Sequence, residues 1–156
     1  MDRVTNRKIL NCIVVFQGSD NLGPWQVFAP PKWRHCWIGI AVYFPEPGLM
    51  ANQWMIRIEP TTWGIDLDFN FMSLKQAAQK AYDLGATSVL KLSVDTPPKH
   101  AYVPRGFLSC VSVLKSILGL RACWIVTPKQ LHRILRRNGA IEVENDGIAE
   151  NSVYRN

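Results

Sequence analysis

The sequence predicts an α+β domain in which an antiparallel sheet packs against helices. Runs dense in β-branched residues alternate with short segments rich in turn formers, as in antiparallel sheets. Three later segments have apolar side chains at helical spacing and end at a glycine. The chain has 156 residues, which is enough for one domain with its own core. We place that single domain at 1–156, with a core at about 9–137 and a polar C-terminal tail.

Most of the predicted strands lie in the first two thirds of the chain. The first has the β-branched density of a buried strand, and turn formers follow it at 17–24. A Pro-Glu-Pro-Gly turn at 45–48 separates the strand that contains His35 from its antiparallel partner. The predicted strands are 9–16, 33–42, 53–59, 64–69, 88–94 and 123–126.

The three predicted helices carry recognisable start and stop signals. Ser73 and Gln76 match a capping box at the start of the first helix. The second begins at Cys110, after a long proline-punctuated loop at 96–106. Thr127, followed by proline, caps the third. Their terminal glycines are Gly85, Gly119 and Gly139.

Composition argues against several classes of protein. No run of about 18 apolar residues is present, so we predict no membrane span. The polar start at 1–8 and the short β-branched run at 9–16 do not match a signal peptide. We therefore expect the protein to stay where it is synthesised.

The cysteine pattern predicts neither a metal site nor a disulfide framework. The four cysteines show no Cys-x-x-Cys spacing and no zinc-like cluster with histidine. We predict no metal and no other cofactor. Three of the four lie in apolar strand-like runs, where a thiol is usually a small buried hydrophobe. The cysteines are Cys12, Cys36, Cys110 and Cys123.

The net charge of +6 raises the question of nucleic-acid binding. The basic residues are scattered, however, apart from Arg133, Arg136 and Arg137 on the third predicted helix. A cluster of this kind is usually a solvated helix face, so we do not favour nucleic acid as a partner.

Cys110 and His35 are the candidates for a catalytic pair. A thiol at a helix N-terminus feels the positive end of the backbone dipole, which favours the thiolate. A nearby imidazole completes that activation. The alternatives are a buried helix cysteine for Cys110 and a solvent-facing or otherwise hydrogen-bonded histidine for His35. Strand alternation places His35 on one face with Trp37, Gly39 and Ala41, where the small residues leave space for a helix or a substrate.

A third group is needed to orient the imidazole. Glu59, at the end of the strand next to that of His35, is the best placed carboxylate. The alternative is an ordinary exposed carboxylate at a strand end. Asp66 and Asp68 are weaker candidates because they lie on a predicted edge strand.

These segments resemble the circularly permuted papain-like cysteine hydrolases related to NlpC/P60, a group that includes lecithin–retinol acyltransferase-like proteins. His35 with 37–40 matches the His-x-x-x-Gly-Ile style of the first strand, and Glu59 within 57–60 matches the orienting position. The segment 109–119 matches a Cys-Val-x-x-Val-Lys-x-x-Leu-Gly pattern of a phage-encoded subset, with one extra residue. The segment 127–131 matches a Thr-Pro-x-Gln-Leu feature of the same subset.

The resemblance implies a permuted papain-like fold and a thiol hydrolase with Cys110 as nucleophile, His35 as base and Glu59 as orienting group. The substrate would be a peptide or peptidoglycan amide, or an ester. A phage-encoded protein would act in the host cytoplasm or the virion, where other virion proteins are possible partners. The rival hypothesis is a non-catalytic structural or binding protein of a phage particle. The second oxyanion donor is unassigned: Gln17 is a candidate, with a turn residue as the alternative.

Overall fold

A computed structural model describes residues 9–18, 29–43, 53–61, 64–95 and 109–145. Within these ranges, six strands form one sheet in the order β4-β3-β2-β1-β5-β6, and every neighbouring pair is antiparallel. This confirms the predicted α+β class with an antiparallel sheet packed against helices. The strands are β1 Ile9–Gln17, β2 His35–Tyr43, β3 Gln53–Pro60, β4 Ile65–Asn70, β5 Ala86–Asp95 and β6 Ile141–Glu142. The helices are α1 Leu74–Asp83, α2 Cys110–Ile117 and α3 Pro128–Arg137.

Helices cover both faces of the sheet. Alternate residues of a strand point to opposite faces, and β1 divides its side chains between two apolar clusters. Val14 and Phe16 pack with α2 and α3 on one face, in a group of buried residues that we call the α2–α3 cluster. Its members are Cys12, Val14, Phe16, Cys36, Ile38, Leu90, Val111, Leu114, Leu118, Ile125, Leu131, Leu135 and Ala140. Ile13 and Val15 pack with α1 on the other. Burial on both faces explains why β1 reads as a continuous β-branched run rather than an alternating one.

The predicted helix signals are confirmed. The Ser73 and Thr127 side chains each accept from the backbone N–H three residues on, and each belongs to a full capping box. The three predicted terminal glycines follow the helices with φ of 90°, 68° and 91°, a conformation that other residues adopt at a cost.

The predicted strand at 123–126 is wrong. In the structure this segment is a turn followed by irregular chain, and Cys123 is exposed rather than buried. Ile125 is buried and anchors the segment in the α2–α3 cluster. The Val126 N–H donates to Gln130 Oε1 at 2.9 Å, within the cap of α3. A backbone that serves a helix cap is not free to pair with a strand.

The ordered fold continues beyond the predicted core end at 137. Strand β6 pairs with β5, and the Val143 N–H donates to Val89 O at 2.9 Å. The Tyr82 hydroxyl donates to Val143 O at 2.6 Å and accepts from the Val89 N–H at 3.2 Å. One phenol thus links α1, β5 and the segment after α3, so residues 140–145 are not a loose tail.

Several predicted segments lie outside the described residues. These are most of the loop at 17–24, the turn at 45–48 and the loop at 96–106. Among the helices that are described, none has the length and apolar character needed to cross a membrane.

Candidate functional site

The candidate site lies at the end of the sheet where β1 finishes and β2 begins. One turn of 3-10 helix, Pro31–Trp33, leads the chain into β2. The Arg34 N–H then donates to Gln17 O at 3.2 Å, and the Thr87 hydroxyl donates to Lys32 O at 2.7 Å. These bonds fix the start of β2, and therefore the position of His35, its first residue.

His35 and Glu59 form an ion pair. His35 Nε2 lies 2.9 Å from Glu59 Oε1, and the two side chains are 13% and 19% exposed. The pairing of Ile38 with Ile58 places Glu59 beside Trp37, one step along the same face from His35. Cross-strand neighbours on one face are close enough for such a contact, so the sheet register itself brings the predicted pair together.

Cys110 is the first residue of α2. Ser109 caps the helix: its side chain accepts from the Ser112 N–H, and the Ser112 hydroxyl accepts from the Ser109 N–H at 2.9 Å. Cys110 lies near His35, whose hydrogen bonding and charge lower the pKa of the thiol, and it is only partly buried. The structure therefore brings the three predicted site residues Cys110, His35 and Glu59 into one connected group.

Cys36 is a fourth member of this group that the sequence reasoning missed. Hydrogen bonding from its side chain and from its backbone lowers the pKa of the Cys110 thiol. Cys36 is completely buried in the α2–α3 cluster, against which Cys110 packs. Strand alternation places Cys36 and His35 on opposite faces of the sheet. Both still lie near Cys110, because the first residue of α2 lies at the start of β2.

The environment of Cys110 favours its thiolate. Hydrogen bonding from Cys36 lowers the pKa of Cys110 to about 5, helped by the hydrogen bond and charge of His35 and opposed by burial. Burial alone would lower the pKa of His35, but the hydrogen bonds and charges of Cys110 and Glu59 raise it to about 9. The hydrogen bond with His35 likewise holds the pKa of Glu59 below its usual range. These shifts favour a thiolate, an imidazolium and a carboxylate at neutral pH.

Arg57 extends the group beyond Glu59. Its Nη2 donates to Glu59 Oε2, and its guanidinium lies 4.7 Å from the centroid of the Trp37 ring. Arg57 Nε is buried and has no hydrogen-bond partner within the described structure. The Arg-Ile-Glu alternation predicts that Arg57 and Glu59 lie on the same face of β3, which is the condition for this contact.

Within the described residues, the ion pair with His35 is made by Glu59 and not by the other candidates from the sequence. Asp66 and Asp68 are exposed on the edge strand β4, opposite Glu59 and Arg57 in register. Gln17 pairs directly with His35 across β1 and β2 and is half-buried. It is the last residue of a strand rather than part of a turn.

Of the two occupants expected on the face of β2 that contains His35, a helix or a substrate, the structure shows the helix: Trp37 and Ala41 pack with α1. A Cβ at Gly39 would lie 2.7 Å from Met55 Sδ and 3.2 Å from Ile13 Cγ1. Met55 and Ile13 therefore take the space that a side chain at Gly39 would occupy beneath α1. This part of the strand face does not receive a substrate.

A groove between α1 and the sheet includes Gln17 in its lining. Trp37, Arg57, Met72 and Lys80 contribute to its lining, whereas His35, Glu59 and Cys110 do not. Within the described ranges, no group of three or more His, Cys, Asp and Glu side chains could hold a metal ion. The three arginines of α3 are exposed, as expected for a solvated helix face.

Comparisons with protein-family models, with curated proteins and with solved structures found no match to this chain.

Proposed function

We propose that this protein is a thiol-dependent hydrolase that attacks an amide or ester carbonyl through Cys110, His35 and Glu59. One observation carries the proposal: a partly exposed thiol at the first residue of a capped helix is paired with a histidine that is itself paired with a carboxylate. A lowered thiol pKa is how proteins activate cysteine nucleophiles.

The chemistry follows from the resting charges. The Cys110 thiolate attacks the acyl carbon, and the His35 imidazolium gives its proton to the departing amine or alcohol as the bond to carbon breaks. A thioester to Cys110 remains. His35, now neutral, takes a proton from water, which attacks the thioester and releases the acid and the thiolate. Glu59 holds the imidazole in orientation throughout.

The start of α2 also supplies a donor for the oxyanion. The first backbone N–H groups of a helix have no partner within the helix, and Cys110 occupies the first helical position. Its N–H is thus available to the oxygen of the attacked carbonyl, and one such donor is typically worth about 3 kcal/mol of barrier. Gln17, opposite His35, is the side chain we propose as the second donor.

The fold type, the substrate class and the location are part of the same proposal. The order histidine, carboxylate, cysteine along the chain supports a circularly permuted papain-like fold of the NlpC/P60 type. The motif resemblance supports a phage-encoded peptidase or amidase that acts on peptide or peptidoglycan, in the host cytoplasm or the virion.

The ester p-nitrophenyl acetate tests the proposed chemistry without knowledge of the natural substrate. We expect a burst of one nitrophenolate for each protein molecule, and an acetyl group on Cys110 by peptide mass mapping. Cys110→Ala abolishes the burst. His35→Gln slows acylation at neutral pH, because the Cys110 thiol loses the hydrogen bonding and the charge of His35 that lower its pKa.

Cys123→Ser is the matched control, because Cys123 is exposed and lies outside the site. It should acylate like the wild type. Acetylation of Cys123 at the rate of Cys110, or an unaltered burst in Cys110→Ala, would overturn the proposal.

The second candidate is a non-catalytic binding protein of a phage particle, and the edge strand β4 favours it. Ile65, Leu67 and Phe69 are 47%, 60% and 64% exposed on one face of this strand. Exposed apolar patches commonly mark interaction sites. Leu67→Lys should then abolish assembly or partner binding while Cys110→Ala leaves it intact; the reverse result favours the enzyme.

A further inference from the structure

Two cysteines approach each other at the junction of β2 and α2. Cys36 belongs to the apolar cluster against which Cys110 packs. Burial raises the pKa of Cys36, and the neighbouring Cys110 raises it further by hydrogen bonding and charge. Helix α2 packs directly on β2, so the packing of two regular elements brings Cys110 towards Cys36. Hydrolysis as proposed above needs only one of these thiols.

The two thiols differ in exposure. Cys110 is partly exposed, whereas Cys36 is completely buried. An oxidant therefore reaches Cys110 first, and Cys110 is also the thiolate that reacts with oxidants. Cys36 is held beside it and is protected from direct attack.

We propose that Cys110 and Cys36 form a reversible redox pair, in which Cys110 is oxidised by a hydroperoxide and Cys36 resolves the product as an intramolecular disulfide. The Cys110 thiolate attacks the terminal oxygen of the hydroperoxide, the O–O bond breaks, and an alcohol or water leaves after taking a proton from solvent. Cys110 becomes a sulfenic acid. The Cys36 sulfur then attacks the Cys110 sulfur, and the thiol proton leaves with the hydroxyl as water.

The disulfide consumes the nucleophile and protects it. A sulfenic acid without a neighbouring thiol is oxidised further to sulfinic and sulfonic acids, which thiol reductants do not reverse. With Cys36 nearby, the oxidised state stops at a disulfide that dithiothreitol opens. The pair would thus convert oxidative damage at Cys110 into a reversible off state.

Peptide mapping of the full-length protein tests this directly. Trypsin separates the four cysteines into the peptides 9–32, 35–57, 106–115 and 122–129. After treatment of the reduced protein with hydrogen peroxide and alkylation of the remaining thiols, we expect peptide 35–57 linked to peptide 106–115. Dithiothreitol should release the link and restore alkylation of Cys110.

Variants separate resolution by Cys36 from general oxidation. In Cys36→Ser, we expect Cys110 to accumulate as sulfinic acid, with several-fold less alkylation recovered by dithiothreitol. Cys12→Ser is the matched control, because Cys12 is also buried in the α2–α3 cluster; it should behave as the wild type.

The proposal is overturned if peptide 106–115 links to another cysteine, or if wild-type Cys110 reaches sulfinic acid without a link. Should Cys36→Ser fail to fold, the wild-type map still decides. The readout is the mass of the peptides, so the disulfide can fail while esterase activity persists, or form in a protein that hydrolyses nothing.

Discussion

The middle of β1 and the junction of α2 with β2 place two cysteines in one apolar cluster, with opposite results. Burial raises the pKa of Cys12 to about 12, and its thiol donates to Leu92 O at 3.7 Å. Hydrogen bonding from Cys36, together with His35, lowers the pKa of Cys110 to about 5 despite burial.

The difference lies in what the backbone offers each sulfur. In mid-strand, the N–H groups around Cys12 pair with neighbouring strands on both sides, which leaves only a carbonyl acceptor for the thiol. At the first residue of α2 the sulfur meets the Cys36 N–H and a charged imidazole, both of which stabilise a negative charge. Burial alone makes a thiol inert; donors and a cation make it reactive.

The largest expected effect is the contrast between these two thiols in the native protein. The iodoacetamide reaction of Cys110 should reach half of its maximal rate near its pKa of about 5, because the thiolate forms as pH rises through that value. Cys12 should not react anywhere in the range where the protein is folded. Peptide mapping at each pH measures both; a midpoint for Cys110 near the ordinary thiol pKa would contradict the environment described here.

The next effect removes the carboxylate behind the histidine. Glu59→Gln removes a hydrogen bond and a negative charge that raise the pKa of His35. The pKa of His35 therefore falls, and a smaller fraction of His35 carries the positive charge that stabilises the Cys110 thiolate. We expect roughly tenfold slower alkylation of Cys110 near pH 5. The control is Asp66→Asn, an exposed carboxylate opposite Glu59 in β4. Equal slowing in both variants would show that general charge, not the ion pair, is responsible.

The smallest effect concerns Arg57, which reaches Cys110 only through Glu59 and His35. Its side chain is 33% exposed, so water screens its interaction with Glu59. Arg57→Ala should slow alkylation of Cys110 by roughly two- to fivefold at mildly acidic pH. Arg57→Lys should recover part of the rate because it keeps a cation near Glu59. A loss as large as that of Glu59→Gln would mean that Arg57 orients Glu59 more strongly than its exposure indicates.

The sequence predicted a helix or strand well where several independent local signals marked it. Helix α3 has a capping threonine, a proline in the first turn and a terminal glycine, and all three act as expected. The run 123–126 had only apolar content, which does not distinguish a strand from a buried turn. Its backbone is used to cap α3, a demand that is not visible in a four-residue window.

The site divides in the same way. Glu59 could be found because strand alternation and pairing put it beside His35. Cys36 could not, because alternation separates it in face from His35, and only the docking of α2 at the start of β2 brings it to Cys110. Contacts made at the end of a helix that arrives from far along the chain have no local signature.

The three charged groups come from β2, β3 and α2, which meet only when the sheet and its covering helix are assembled. In an unfolded chain Cys110 titrates like any free thiol, so its reactivity at mildly acidic pH belongs to native molecules alone. A brief pulse of alkylating reagent at about pH 6 would therefore count folded molecules during refolding, without an added dye or a known substrate.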